Sequence, residues 1–249
     1  TLFPYTTLFR SEMSGTSGKS LRLEAIKIKL TGEMAKKYDV YYRVHAQNYG
    51  WLDWAKNGGI AGTAGYGYRL EGIEIVLVEK GETAPGGTKT PYAIAPIRVV
   101  YTTHVQGEGW QEKVKNGVTS GTVGKGLRLE GIKIGLENVG INGISGGIEY
   151  RTHIQKIGWQ DWVKNNEMSG TSGKGLRLEA IQIRLIKEIA DKYDVYYRVH
   201  AQHYGWLGWA KNGEEAGTSG YGYRLEGIQI KLVKKGEAAP GSTKNHFYK

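Results

Sequence analysis

YRTHIQKIGWQDWVKNNEMSGTSGKGLRLEAIQIRLI, from Tyr150 to Ile186, is a 37-residue unit that recurs along the chain. Copies run Tyr42–Val78, Tyr101–Asn138 and Tyr197–Val233, and a half copy spans Glu12–Thr31. Within the unit, Tyr150, Thr152 and Ile154 alternate with Arg151, His153 and Gln155, the period of a half-buried strand. A turn at Lys156–Gly158 leads to a second strand, Trp159–Lys164, and then to a Gly/Ser/Thr-rich loop, Asn165–Gly175. The third strand, Leu176–Ile186, changes phase: Leu176, Leu178 and Ala180 give way to Ile181, Ile183 and Leu185. A one-residue slip inside a strand predicts a β-bulge. The slip returns where Leu225 and Gly227 precede Ile228, Ile230 and Leu232. The one helical stretch, Lys187–Lys192, is too short to shape the fold.

A unit this small cannot bury its apolar face alone, so neighbours must complete it. A longer period shows how many neighbours are needed. The heptapeptide MSGTSGK starts at Met13 and again at Met168, and the same 155-residue offset joins Tyr42 to Tyr197, Trp51 to Trp206 and Pro85 to Pro240. Copies three apart are therefore nearly identical, while adjacent copies differ. From Arg69 to Arg128 is 59 residues, against 49 and 47 for the next two intervals, and the long gap holds Pro85, Gly86, Gly87, Pro91 and Pro96. Such spacers mark domain boundaries. The expected organisation is a complete three-repeat domain at 93–249 with a short tail, preceded at 12–92 by a truncated triplet. TLFPYTTLFRS matches nothing at the 155-residue offset and resembles translated sequencing adapter. Residues 1–11 are thus expected to be an extraneous, disordered segment, and the chain a fragment. The expected fold is all-β, with three units closed around a pseudo-threefold axis as a β-prism or a β-trefoil. Closure hides sheet edges that would otherwise invite aggregation.

The chain of 249 residues has no cysteine, which excludes disulfides and thiolate metal sites. No stretch reaches the apolar length of a transmembrane helix. The formal charge of +10 suits attraction to an anionic polymer. Lys and Arg are dispersed rather than clustered, which argues against nucleic acid. Seventeen Tyr and 7 Trp stand beside only 3 Phe, a bias that suits surfaces with one wet side.

The recurring pattern of His-x-Gln, Gly-Trp, Gly-Thr and Arg-Leu-Glu, as in THIQKIGWQDWVKN followed by GTSG and RLEAIQI, resembles the ChW repeat, the clostridial hydrophobic repeat with an invariant Trp. The resemblance covers about residues 12–235. It implies a secreted or surface protein of a Gram-positive anaerobe that mediates binding or attachment, and it carries over no catalytic residue. One copy departs from it: Lys113 stands where Trp54, Trp162 and Trp209 stand in the others.

Two Trp classes are the first site candidates. Trp51, Trp110, Trp159 and Trp206, in the Gly-Trp pair, are expected in the core, because a buried Trp removes much surface from water. Trp54, Trp162 and Trp209 lie three residues further on, hence on the opposite face of the strand, where an exposed indole offers a stacking platform for a sugar ring or another protein. The histidines His45, His104, His153 and His200 recur at one position. Without further ligands at metal-like spacing they read as a polar ladder rather than a metal site, and His45, His153 and His200 join the candidate ligand-binding set. The five Arg-Leu-Glu motifs place Arg and Glu on one strand face, where they can pair at the bulge. Gly15–Ser20 superficially matches the end of a phosphate-binding loop, but Met13 occupies the position of the required earlier glycine, so it reads as a turn-rich loop. Neither a cofactor nor a catalytic set emerges. The expected function is a non-catalytic extracellular or cell-surface module that binds carbohydrate or an anionic wall polymer. The alternative is a structural or protein-binding repeat segment of a large adhesin or scaffold.

Overall fold

A computed structural model describes residues 13–141 and 143–249. Residues 1–11, read above as extraneous, lie outside the described residues. The chain is all-β and divides after Ala95 into two compact units. The first contains β1 (Ala25–Ile26), one helical turn α1 (Met34–Lys37), β2 (Tyr38–Ala46), β3 (Gly50–Trp51), β4 (Ala55–Lys56), β5 (Ala61–Ala64), β6 (Leu70–Glu79) and β7 (Tyr92–Ile94). The second, Pro96–Lys249, holds three repeats in succession. Its first repeat has β8 (Arg98–Val105), β9 (Gly109–Trp110), β10 (Val114–Lys115), β11 (Ser120–Gly121) and β12 (Leu129–Glu137). The second has β13 (Gly147–Ile154), β14 (Gly158–Trp159), β15 (Val163–Lys164), β16 (Ser169–Gly170), β17 (Leu178–Ile186) and the turn α2 (Ile189–Lys192). The third has β18 (Tyr193–Ala201), β19 (Gly205–Trp206), β20 (Ala210–Lys211), β21 (Ala216–Thr218), β22 (Leu225–Lys234) and a tail strand, β23 (Phe247–Tyr248).

Each complete repeat is a long antiparallel hairpin: β2 with β6, β8 with β12, β13 with β17, β18 with β22. The first arm also pairs along its other edge with two dipeptide strands. The expected second strand, Trp159–Lys164, is therefore two short pieces, β14 and β15, with the chain leaving the sheet between them. The expected bulge is present, just before the phase slip at Ala180–Ile181. Register shifts as His153 faces Ala180 while Ile154 faces Leu178, so Glu179 is the extra residue. Glu71, Glu130 and Glu226 are its counterparts in the other hairpins.

The two- or three-residue strand inside the Gly/Ser/Thr loop joins one repeat to the next. β16 pairs with β12 of the preceding repeat, β21 pairs with β17, and β11 of the first repeat pairs with β22 of the third. The exchange is cyclic, each repeat lending a strand to the one before it. The sheets stay separate, and no barrel closes among the described residues. Glycine is obligatory at the crossing. Gly170 has φ +113°, and a Cβ there would lie 2.5 Å from the Glu130 carbonyl oxygen and 2.6 Å from Gly131 Cα. Gly121 has φ +104° and a Cβ would meet the Glu226 carbonyl oxygen at 2.5 Å. Side chains other than hydrogen cannot occupy that space, nor do they favour that backbone conformation.

One fully buried tyrosine per first arm reinforces the exchange. The Tyr150 hydroxyl donates to the Glu167 carbonyl of its own repeat and accepts the Ile134 N–H of the preceding one, at 2.9 Å. The Tyr101 hydroxyl donates to the Val118 carbonyl and accepts the Ile230 N–H at 3.0 Å, across the first-to-third junction. Burial pushes both phenols up to about 12. The same tyrosines centre one core that draws on all three repeats: Tyr101, Ile134, Tyr150, Ile183, Tyr197 and Ile230 are all buried in it. Turns are fixed by asparagine in the left-handed region. Asn116, Asn165 and Asn212 have φ between 26° and 44°, and each side chain accepts an N–H from its first arm at about 3 Å. Among the described residues the first unit has one exchange: β5 pairs with β1, as β21 does with β17.

Candidate ligand-binding faces

The hairpin register fixes where the tryptophans point. Trp159 lies directly across from His153, and residues directly opposite each other share a sheet face. Ile154 and Thr152 are buried, so His153, between them, faces outward and takes Trp159 with it. The same pairing joins Trp51 to His45, Trp110 to His104 and Trp206 to His200. Trp51 is 44% exposed, whereas Trp54 is 6% exposed. The assignment made from the sequence is thus reversed for the Trp51/Trp54 and Trp206/Trp209 pairs, while Trp159 and Trp162 are both half-buried. Trp51, Trp110, Trp159 and Trp206 lie outside the core, and buried tyrosines take their place within it. Trp54 and Trp209 are not free platforms, while Trp162 is half-buried.

What covers Trp54 and Trp209 is the Pro/Gly-rich segment that reads as a spacer. The Trp209 backbone N–H donates to the Ser242 carbonyl at 2.8 Å, and the Trp54 backbone N–H to that of Gly87 at 2.8 Å. The segment then adds a parallel strand to its own repeat, β23 beside β21 and β7 beside β5. Trp209, with Tyr196, Val233 and Ala239, forms a small apolar cluster of its own, apart from the main core.

Each outward Trp is held by two neighbours. The histidine ring meets it edge-on, with centroids 5.4–5.5 Å apart in all four repeats. A cation covers it: Arg43 over Trp51 and Arg198 over Trp206 at 4.9 Å, Arg151 over Trp159 at 5.1 Å, Lys133 over Trp110 at 4.6 Å. Arg43 and Arg198 each lie 4.9 Å from the second Trp of their repeat as well. Behind the histidine sits the bulged glutamate. Glu130, Glu179 and Glu226 are buried, and each accepts the Nε–H of its Arg-Leu-Glu partner at 2.9 Å. Their other oxygens lie 3.1–3.2 Å from Nδ1 of His104, His153 and His200, at ion-pair distance though off the line of a hydrogen bond. The histidines therefore face glutamate and indole, and none of the described residues forms a group of three His, Cys, Asp or Glu placed to hold a metal ion. Gly15–Ser20 runs through bends with no helix directly after it, as a turn-rich loop does.

The third repeat carries a feature the sequence reading overlooked. Tyr204, Tyr221 and Tyr223 gather beside Trp206, and Tyr248 of the tail stacks on Tyr204 with centroids 4.4 Å apart. Desolvation and the neighbouring phenols raise the Tyr204 hydroxyl above its ordinary value. A cleft of about 410 Å³ opens here, lined by Arg198, Tyr204, Trp206, Lys244, Asn245 and Tyr248 among others. The first unit repeats the cluster with Tyr49, Tyr66 and Tyr68, and the hydrogen bond that the Tyr49 hydroxyl makes to Tyr66 pushes the Tyr49 phenol up to about 12. Adjacent repeats lack it. Glu108 and Ile157 stand where Tyr204 does, Lys125 and Lys174 where Tyr221 does, Leu127 and Leu176 where Tyr223 does. Comparing adjacent copies position by position would have found it. A different cleft, of about 540 Å³, opens in the first repeat beside Trp110, Lys113 and Lys133, where the second Trp is missing.

A family profile described as clostridial hydrophobic W (ChW) matches residues 11–32, 45–79, 104–138, 153–187 and 200–234. The chain belongs to the ChW family. Each of the four full matches begins at the histidine under the outward Trp and ends with the long second arm, so one ChW match spans one outer face and one inner strand. Neither a curated protein nor a solved structure matches the chain.

Proposed function

We propose that this ChW chain is a non-catalytic module of an extracellular or cell-surface protein and that it binds carbohydrate or a wall polymer. The observation that carries the reading is the outward placement of the Gly-Trp indole in all four full repeats, each fixed by a histidine edge and a cation. Aromatic rings set rigidly at a wet surface are what sugar faces and flat polymer surfaces stack against, at low entropic cost. The three-sheet core with cyclic strand exchange fits a β-prism better than a β-trefoil in this reading, since a trefoil needs a barrel. Such a scaffold presents the same face three times per domain, an arrangement suited to a repeating ligand.

Fluorescence of the seven tryptophans, recorded with purified wall polysaccharide, tests the reading. Retention on the polymer, a changed emission spectrum and no soluble sugar released are the expected results. No retention and an unchanged spectrum would favour the second reading, a structural or protein-binding repeat. That reading has its own support in the exposed apolar face of β6, where Ile73, Ile75 and Leu77 lie bare.

A further inference from the structure

We infer that the aromatic cleft of the third repeat is the principal ligand site and that it takes an anionic glycan, an inference that rests on the carbohydrate-binding reading above. Four observations carry it. The tyrosine cluster is confined to the third position of each triplet, where it recurs 155 residues apart, so it is not a requirement of the repeat fold. The first and second repeats fold the same hairpin with Glu108 or Ile157 in place of Tyr204. The cleft is built rather than incidental. One wall is the tail from Pro240 to Tyr248, which lies across Trp209 and adds β23 to the sheet. A chain that buries one indole under this tail and leaves Tyr204 and Trp206 at the rim has shaped an aromatic trough.

Charge selects the ligand class. Arg198 and Lys244 line the cleft, and no Asp or Glu does. The Arg198 guanidinium donates through Nε to a neutral partner, Gln229, at 2.8 Å, so its charge meets no carboxylate there. Burial of Arg198 shifts its pKa downward, the direction expected when a cation lacks a counter-ion. In the first unit the equivalent Arg43 pairs with Glu74 at 2.6 Å, which neutralises it. Both units keep the second cation, Lys89 and Lys244, and only the first cancels the arginine. The trough of the second unit therefore offers sugar-stacking rings beside two uncompensated positive charges. A polymer of sugars bearing carboxylate or phosphate groups matches both.

The test uses the full chain and three probes: oligogalacturonate, a phosphorylated mannan and neutral dextran. Tighter binding to one or both acidic probes than to dextran, weakening from low to physiological salt, is expected. Which acidic probe binds distinguishes carboxylate from phosphate sources. Tyr204→Ala should lower affinity about tenfold, the equivalent of one favourable contact. Lys244→Ala should weaken binding and flatten its salt dependence. Both side chains are exposed, so folding should survive. Ile157→Ala, at the matching position of the second repeat, should leave affinity within about twofold. Acidic-glycan binding that survives Tyr204→Ala and Lys244→Ala would overturn the placement and leave the carbohydrate reading standing. Equal binding to dextran would overturn the anionic class. Binding to no glycan at all would overturn the carbohydrate reading and this inference with it.

Discussion

β6 and β22 are nearly the same strand, LEGIEIVLVE and LEGIQIKLVK, yet they live in different surroundings. Ile230 of β22 is 0% exposed, and its counterpart Ile75 of β6 is 54% exposed. Ile73 and Leu77 are likewise bare where Ile228 and Leu232 are buried. The cause is not propensity or pattern, which the two strands share. β22 receives β11 along its free edge and the Tyr101 hydroxyl on its Ile230 N–H, both from the first repeat of its triplet. The first unit has one full repeat and part of another among the described residues, so β6 pairs with β2 alone. Burial in this family is thus a property of the triplet, not of the repeat.

Replacing the same isoleucine in both places exposes that difference most sharply. Ile230→Ala should destabilise the second unit by about 2–5 kcal/mol, the usual range for emptying a core position. Ile75→Ala should change stability by no more than about 0.5 kcal/mol, as at a surface site. Chemical denaturation of each variant reads both numbers, and equal costs would mean that β6 is covered in solution. Next in size is Gly121→Ala. A Cβ meets the Glu226 carbonyl, and positive φ adds strain, for a cost of about 3 kcal/mol. Only the second unit's transition should move in calorimetry.

Without any substitution, heating should show two transitions, the first unit melting before the second, because its core is small and one sheet face is open. A single sharp transition would mean that the two units unfold together. The smallest effect concerns alkali. Burial raises the Tyr101 and Tyr150 phenols to about 12 from an ordinary 10.0. The folded state therefore holds these protons more tightly than the unfolded chain. That contribution is complete below pH 10 and is lost as pH rises from about 10 to 12. The second unit should lose stability over that interval, and ultraviolet titration should show the Tyr101 and Tyr150 phenolates among those appearing late, together with Tyr197, which burial also raises, and Tyr49 of the first unit.

The sequence made the first arm, the bulge and the Arg–Glu pairs readable, because each rests on spacing within one copy. Period two fixed the faces of Tyr150 and His153, and the phase slip at Ala180–Ile181 announced a bulge that falls at the neighbouring Glu179. The strand exchange was not readable. β11, β16 and β21 are two or three residues long and lie inside a Gly/Ser/Thr loop, below the length at which periodicity can show. The tryptophans misled for a related reason. Trp159 is apolar and large, but its position follows from which residue it faces across a tight turn, and that residue is His153. The Pro/Gly segment after each third repeat looked like a linker by composition. Its pairing with β5 and β21 is parallel and short, so no local signal announces it. The tyrosine cleft was legible in principle, in the differences between adjacent copies rather than in their likeness.

Closure of the second unit rests on one junction, that between its first and third repeats. The Thr122 N–H donates to the Glu226 carbonyl at 2.7 Å, across more than a hundred residues of chain. Native-state amide hydrogen exchange at Thr122 measures that bond directly. In a closed triplet Thr122 opens only with the whole unit, so its protection should equal that of the core amides of Ile134 and Ile230. Exchange at the rate of an open loop, with Ile134 still protected, would show that the ring is open at this junction and that three repeats do not form one closed unit.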